Sequence, residues 1–340
     1  MVFYKKILLF VFITFMIQAK AQDTLQTVVA EKGDGIISLL RKQGLNPYDV
    51  IDDFVALNLK NLRDSVHLYA GRKYMIPKVQ HKNVVNENIK IKSLKKGKEY
   101  AIFGKEHALV TTKSEKLVGT VYYLVSGHGG PDPGAITKYK GKLIAEDEYA
   151  YDVTLRLAKE LLSHGAKVHI IVRDLNDGIR DDRVLEVDRD EVVFPKKTIP
   201  LNQLKRLKQR VTVVNDLYVK NKGKYQRLIV THVDSRSKGQ NIDVFFYHHE
   251  KSKKGKKLAE SIHQTFYEKY KKYQPNREYR GTFEDRSGLY MVKNTLPAMA
   301  YIEIGNIKNK KDQKRILDYE NRQALAKWIS EGILLDYESK

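Results

Sequence analysis

The sequence predicts an α/β protein, a three-layer sandwich with a mainly parallel sheet flanked by helices, preceded by a small β-α-α-β domain. Three observations carry this reading. From about residue 117 short apolar runs alternate with longer amphipathic segments, the order of a parallel α/β sheet. Residues 28–78 carry a shorter pattern of the same two element types. Between them, residues 79–116 are rich in Lys, Asn and Val and read as a linker.

The chain of 340 residues opens with Lys5-Lys6, an apolar core from Ile7 to Ile17, and Ala19-Lys20-Ala21. That core is shorter than the roughly 20 apolar residues a membrane helix needs, and small residues precede a cleavage point. Residues 1–21 therefore read as a secretory signal, with a mature chain from Gln22 exported to the periplasm or cell envelope. No later segment is apolar enough to span a bilayer. The sequence has no cysteine, so any transition-metal site must use His and carboxylates, which points to zinc. Formal charge is +21, three of the lysines lying in the leader. Such a balance favours polyanionic neighbours. Runs such as Lys253-Lys254-Gly255-Lys256-Lys257 read as solvated faces, and no nucleic-acid motif accompanies them. A nucleic-acid partner is not expected.

In the first module Val28-Val29 reads as a strand, Glu31-Lys32-Gly33-Asp34 as a turn, and Ile36–Leu40 as the start of a helix. A second apolar pattern runs through Val50, Ile51, Phe54, Val55 and Leu57, and Leu68–Pro77 turns into a short strand. With Gly33-Asp34, Asn58, Gly71 and Ile76-Pro77 in that order, residues 28–78 resemble a LysM domain. The resemblance implies a shallow groove for glycans containing N-acetylglucosamine; a generic small α/β module is the alternative. The linker carries candidate edge strands at Tyr100–Phe103 and Ala108–Thr111.

In the large domain, strands are expected at 121–126, 167–172, 227–232, 242–247 and 298–304. Helices are expected at 147–164, 201–220, 254–273 and 318–332. The first carries Tyr151, Leu155, Ala158 and Leu162 on one face and stops at Gly165. Residues 174–200 form a charged excursion whose shape and role the pattern leaves open. Function is expected at the carboxyl ends of the parallel strands.

Four positions converge there. His128 follows the first strand within Gly127-His128-Gly129-Gly130, and Glu146 precedes the first long helix. His232 ends the run Leu228–Thr231, and Glu303 follows Met299–Ile302. Two His and one carboxylate leave a tetrahedral zinc an open position, and a further carboxylate can act as base. Strand alternation puts Ile302 and Ile304 on one face and Glu303 on the other. Glu148 competes with Glu146 for the ligand role, and spacing to Gly165 favours Glu146. His248-His249-Glu250 imitates a metal cluster, but adjacent His residues on a strand point to opposite faces.

The segment from about 121 to 332 resembles the zinc-dependent N-acetylmuramoyl-L-alanine amidases of the cell-wall hydrolase type. The family's GHGG loop and D-P-G-A are matched by Gly127–Gly130 and Asp132–Ala135. Its Glu and L-R-L-A-K helix are matched by Glu146 and Leu155–Gly165, and its R-x4-N pair by Arg210 and Asn215. Thr231-His232-Val233-Asp234-Ser235 stands for I-H-A-D-S, and Glu303–Asn309 for E-x-G-F-x-S-N. The resemblance implies peptidoglycan as substrate, Zn2+ on His128, Glu146 and His232, and Glu303 as catalytic base. Arg210 and Asn215 would support the site from behind. Three departures stand out. Val125-Ser126-Gly127 replaces D-P-G, leaving no carboxylate just before the first His, while Asn306 and Lys308 replace an aromatic and a small polar residue. Residues 233–241 are too few for the autoinhibitory helix of some amidases, so an open zinc site is expected. A zinc carboxypeptidase acting on wall peptides and a non-catalytic wall-binding protein remain as alternatives. Need for an activator protein is left open.

Overall fold

The computed structural model describes residues 25–31, 34–45, 47–62, 68–77, 97–234 and 243–340. The leader expected at 1–21 and the stretch 235–242 after the second histidine, on which the expected open site turns, lie outside them. Among the described residues no helix is long and apolar enough to cross a membrane. The chain divides into two units, 1–88 and 89–340.

In the first unit β1 (Thr27–Val29) is followed by α1 (Ile36–Lys42), α2 (Pro47–Asn58) and β2 (Lys73–Met75), which pairs antiparallel with β1. Leu39, Leu40, Phe54 and Tyr74 fill its core. Asn58 is buried because it does backbone work: its amide donates to Met75 O at 2.7 Å and its carbonyl accepts Met75 N at 2.7 Å. The β-α-α-β order of the sequence reading is present.

The second unit begins with a hairpin, β3 (Gly97–Glu99) and β4 (Leu109–Thr111). Then come β5 (Thr120–Ser126), the hairpin β6 (Ile136–Tyr139) and β7 (Lys142–Ala145), and α3 (Glu146–Ser163). β8 (Lys167–Ile170) precedes three two-residue strands, β9 (Val172–Arg173), β10 (Val192–Val193) and β11 (Lys197–Thr198). Next are α4 (Gln203–Lys220), β12 (Tyr225–Asp234), β13 (Phe245–His248) and α5 (Lys253–Tyr273). The unit closes with β14 (Phe283–Asp285), α6 (Tyr290–Asn294), β15 (Met299–Asn306), α7 (Lys310–Leu317) and α8 (Tyr319–Glu338).

Six strands form the main sheet in the order β14-β13-β15-β12-β5-β8. β8, β5, β12 and β15 run parallel, and β13 joins β15 antiparallel. β5 is buried along its whole length, which fits the unbroken apolar run Val121–Val125 within it. On one face Val121, Tyr123, Leu228, Val230, Met299 and Tyr301 pack with Val211, Val214 and Leu217 of α4 and Met291 of α6. On the other, Thr154 of α3 meets Thr231 of β12 at 2.6 Å, and Phe266 of α5 packs edge-on against Phe246 of β13. α8 packs against both α3 and α5, with Trp328 against Phe266. This is the three-layer sandwich that the pattern predicts.

Three expectations are corrected. The first edge strand is Gly97–Glu99; Ala101–Phe103 is a single 3-10 turn that buries Phe103 and reverses at Gly104. The described part of the expected linker, 97–116, belongs to the second unit: Phe103 and Val110 are buried and Ile179 N donates to Phe103 O. The strand expected at 167–172 breaks at Ile171, and β9 leaves to pair with β10. The excursion at 174–200 thus supplies β10 and β11 of a three-stranded meander with β9, and it is tied to α3 where Tyr149 Oη donates to Arg183 O at 3.1 Å.

α3 and α8 are joined by ions in the interior. Asp152 and Arg322 are both 0% exposed. One oxygen of Asp152 accepts Arg322 Nε at 2.6 Å and Arg156 Nε at 2.8 Å, and the other accepts Arg180 N at 2.8 Å. Removing the carboxylate strands two buried guanidinium groups, which typically costs about 3–5 kcal/mol. Asp152→Ala is expected to lose about that much in urea unfolding, against a near-neutral exposed control such as Glu268→Ala.

Candidate metal centre and cleft

β5, β12 and β15 end at the same edge of the sheet, and the candidate residues gather there. His232 on β12 lies in register with Glu303 on β15. Both continue the face that carries Leu228, Val230, Met299 and Tyr301, and His232 stacks on Tyr301 with ring centroids 4.8 Å apart. Ile302 and Ile304 are buried on the opposite face. His128 follows β5 on a left-handed residue, φ 59°, and Glu146 is the first residue of α3.

One oxygen of Glu146, Oε1, lies 3.4 Å from His128 Nε2 and 2.9 Å from His232 Nδ1. It also accepts Val233 N at 3.1 Å, while Oε2 accepts Ala135 N at 3.1 Å. One donor atom from each of the three side chains lies within 4.8 Å of the other two. Two glycines make this approach possible. A Cβ on Gly127 would overlap the His232 ring, and one on Gly134, at φ 69°, would sit 2.7 Å from Glu146 Oε2.

Burial opposes charge on His128, yet Asp132 and Glu146 outweigh it and raise its pKa to about 10. Burial keeps the His232 imidazole below its ordinary value despite Glu146. Burial would likewise raise the Glu146 carboxyl, but the two imidazoles hold it well below the usual carboxylate range. The nitrogen and oxygen donors suit a divalent zinc, and the second nitrogen of His128 is held by a carboxylate, as metal-ligating His residues usually are.

That carboxylate is Asp132. The position before the GHGG loop lacks one, as the sequence says, but Asp132 Oδ2 reaches back to His128 Nδ1 at 3.0 Å. Arg206 Nη2 donates to the same oxygen at 2.6 Å. Arg210, one turn further along α4, is buried, and its Nη2 donates to His128 O at 2.5 Å. Asn215 stands apart: its side chain bonds Asn294 O and Leu296 N, joining α4 to the end of α6.

Glu148 is drawn elsewhere, accepting Arg180 Nη2 at 2.9 Å and Asp188 N at 3.1 Å. It belongs to a second, buried acidic group with Asp147 and Glu191. Glu191 in turn accepts Gly130 N at 2.6 Å and so steadies the His128 loop from the excursion. His248 turns away, with Nδ1 against His249 O and its ring beside Phe283.

The cleft at this edge encloses about 730 Å3. His128, Glu146, His232 and Glu303 line it, with Phe245, Tyr247, Leu289, Tyr290 and Met291 as an apolar wall and Arg206 and Arg286 as basic groups. The sequence reading missed Arg206 and the aromatic wall. Arg206 had a signal: it lies four residues before Arg210, on the same face of a helix.

Fold and cleft define an α/β protein whose sheet edge presents two histidines and a carboxylate as a converging donor set. The sequence model of the N-acetylmuramoyl-L-alanine amidase family (Amidase_3) matches residues 123–334, and the chain belongs to that family. Solved structures similar to it include the CwlD amidase of Clostridioides difficile in complex with the GerS lipoprotein, at 21% identity and a TM-score of 0.48. That match covers 65% of this chain and 99% of the other. The amidase AmiC2 of Nostoc punctiforme is similar at 20% identity and a TM-score of 0.45, over 67% of this chain and 99% of that one. Ami1 of Mycobacterium smegmatis gives 16% identity and a TM-score of 0.46, over 66% and 99%. No curated protein sequence matches the chain.

Burial, with Glu148 and Asp188 nearby, pushes the Glu191 carboxyl up to about 7 from its ordinary 4.5. The folded state then keeps a proton that the unfolded chain releases above pH 4.5, and stability is lost as pH rises through about 7. Melting temperatures of the metal-free protein across pH 5 to 8 should fall more steeply than those of Glu191→Gln. Parallel curves would show that Glu191 carries no such proton.

Proposed function

We propose that the protein is an exported zinc amidase that cuts the amide between the lactyl group of N-acetylmuramic acid and the L-alanine of the stem peptide. Family membership supports the bond, and the convergence of His128, Glu146 and His232 beside Glu303 carries the chemistry. In this reading His128, Glu146 and His232 hold Zn2+. The metal supplies Lewis acidity towards the scissile carbonyl and towards water. Glu303 takes the proton of the attacking water and returns it to the departing L-alanine nitrogen. Arg210 keeps the His128 backbone in place, and Asn215 serves α4 rather than the chemistry.

The cleft suits such a substrate. Its aromatic and apolar wall fits the sugar and methyl-bearing parts of a muramoyl peptide, and Arg286 offers a cation to stem-peptide carboxylates. We assign residues 1–21 to a secretory signal and 28–78 to a LysM-like module that holds glycan strands. The catalytic domain extends from the hairpin at 97–116 to about 335.

The test is mass spectrometry of purified peptidoglycan digested with the mature protein, with zinc, with chelator, and with Glu303→Ala. Free stem peptides beginning with L-alanine are expected only with metal and intact Glu303. The variant should lose about 10²–10⁴-fold in kcat. Products cut within the peptide would make the protein a peptidase, and no products from protein that sediments with the wall would make it a binding protein.

A further inference from the structure

We infer that Asp132 and Arg206 are positioning residues for the ligand His128: Asp132 fixes its tautomer and ring orientation, and Arg206 fixes Asp132. The inference rests on the metal reading above and concerns residues to which that reading gives no role.

The loop needs such a device. His128 sits at φ 59°, Gly129 at 102° and Gly130 at 65°, a run of left-handed backbone outside any strand or helix. The turn that follows is tight, with Gly129 N donating to Asp132 O at 2.7 Å. It brings the Asp132 side chain back over the ring it follows by four residues. Oδ2 lies 3.0 Å from His128 Nδ1, and His128 Nε2 is then the nitrogen that faces Glu146. A carboxylate can only accept, so Asp132 holds a proton on Nδ1, and a metal that takes the place of the proton Glu146 draws to Nε2 then finds the lone pair on that nitrogen. Arg206 completes the chain of contacts, donating to the same Oδ2 at 2.6 Å while also holding Leu201 O. The first turn of α4 thereby sets the direction of a side chain on the loop after β5.

Asp132 has a plainer task too, since its Oδ1 accepts Gly134 N at 3.2 Å and shapes the turn. Asp132→Asn separates the two. The amide keeps one acceptor for Gly134 N but then turns its NH2 towards His128 Nδ1 and Arg206. An NH2 there favours the opposite tautomer, with the proton on Nε2, where the metal should be.

Zinc affinity by chelator competition and the His128 tautomer by nitrogen-15 NMR, on the full mature chain, read this directly. Wild-type protein should take up zinc with the proton of His128 on Nδ1. Asp132→Asn should bind zinc about 10–100-fold more weakly and carry the His128 proton on Nε2. Arg206→Gln should weaken zinc in the same direction but less. Zinc uptake by the wild type with unchanged affinity and tautomer in Asp132→Asn would overturn the inference alone. If that variant fails to fold, wild-type protein with zinc on Nδ1 of His128 overturns it instead. A wild type that takes up no zinc would sink the metal reading itself, and this inference with it.

Discussion

Glu146 is a carboxylate buried at the start of a helix, and the cost of keeping it there shapes everything around it. A carboxylate removed from water loses several kcal/mol unless donors replace its hydration. Here the donors come from two separate stretches of chain: Ala135 N and the His128 imidazole from the loop after β5, and Val233 N and the His232 imidazole from the end of β12. Neither stretch can shift without exposing the other to an unpaired charge. The N-terminal end of α3 adds its own positive potential. A metal-sized gathering of donors is thus what remains once the carboxylate has been satisfied from every side.

The sheet supplies the second constraint. In a parallel pair a slip of one residue would send a side chain to the other face. The register that sets His232 beside Glu303 is held by Leu228, Val230, Met299 and Tyr301 packing under α4 and α6. The apolar contacts of the middle of the strands therefore aim the polar residues at their ends. α3, with Asp152 clamped by Arg322 and Arg156, fixes from the opposite face where Glu146 can begin.

Much of this was legible in the sequence. His128, Glu146, His232 and Glu303 could be chosen because each follows or precedes a strand or helix that hydrophobic pattern alone identifies, and the structure brings those positions to one edge. Asn306 could be read only as a departure; its backbone N–H in fact donates to Asp312 Oδ2 in the first turn of α7. The Asp132 clamp was not legible, because the carboxylate behind His128 comes from after the loop, where only the turn geometry brings it back. The meander at 174–200 was hidden for another reason: strands of two residues leave no periodicity to read. Asp152, Arg156 and Arg322 look like ordinary polar faces of two helices until those helices are seen to face each other.

In the proposed reading His128, Glu146 and His232 together hold one zinc ion. Anomalous diffraction at the zinc edge, from crystals of the mature protein grown with zinc, addresses it most directly. A single strong peak is expected about 2.0–2.2 Å from a nitrogen of each histidine and an oxygen of Glu146. A peak at His248-His249 or within the Asp147, Glu148 and Glu191 group instead, or none at saturating zinc, would contradict it.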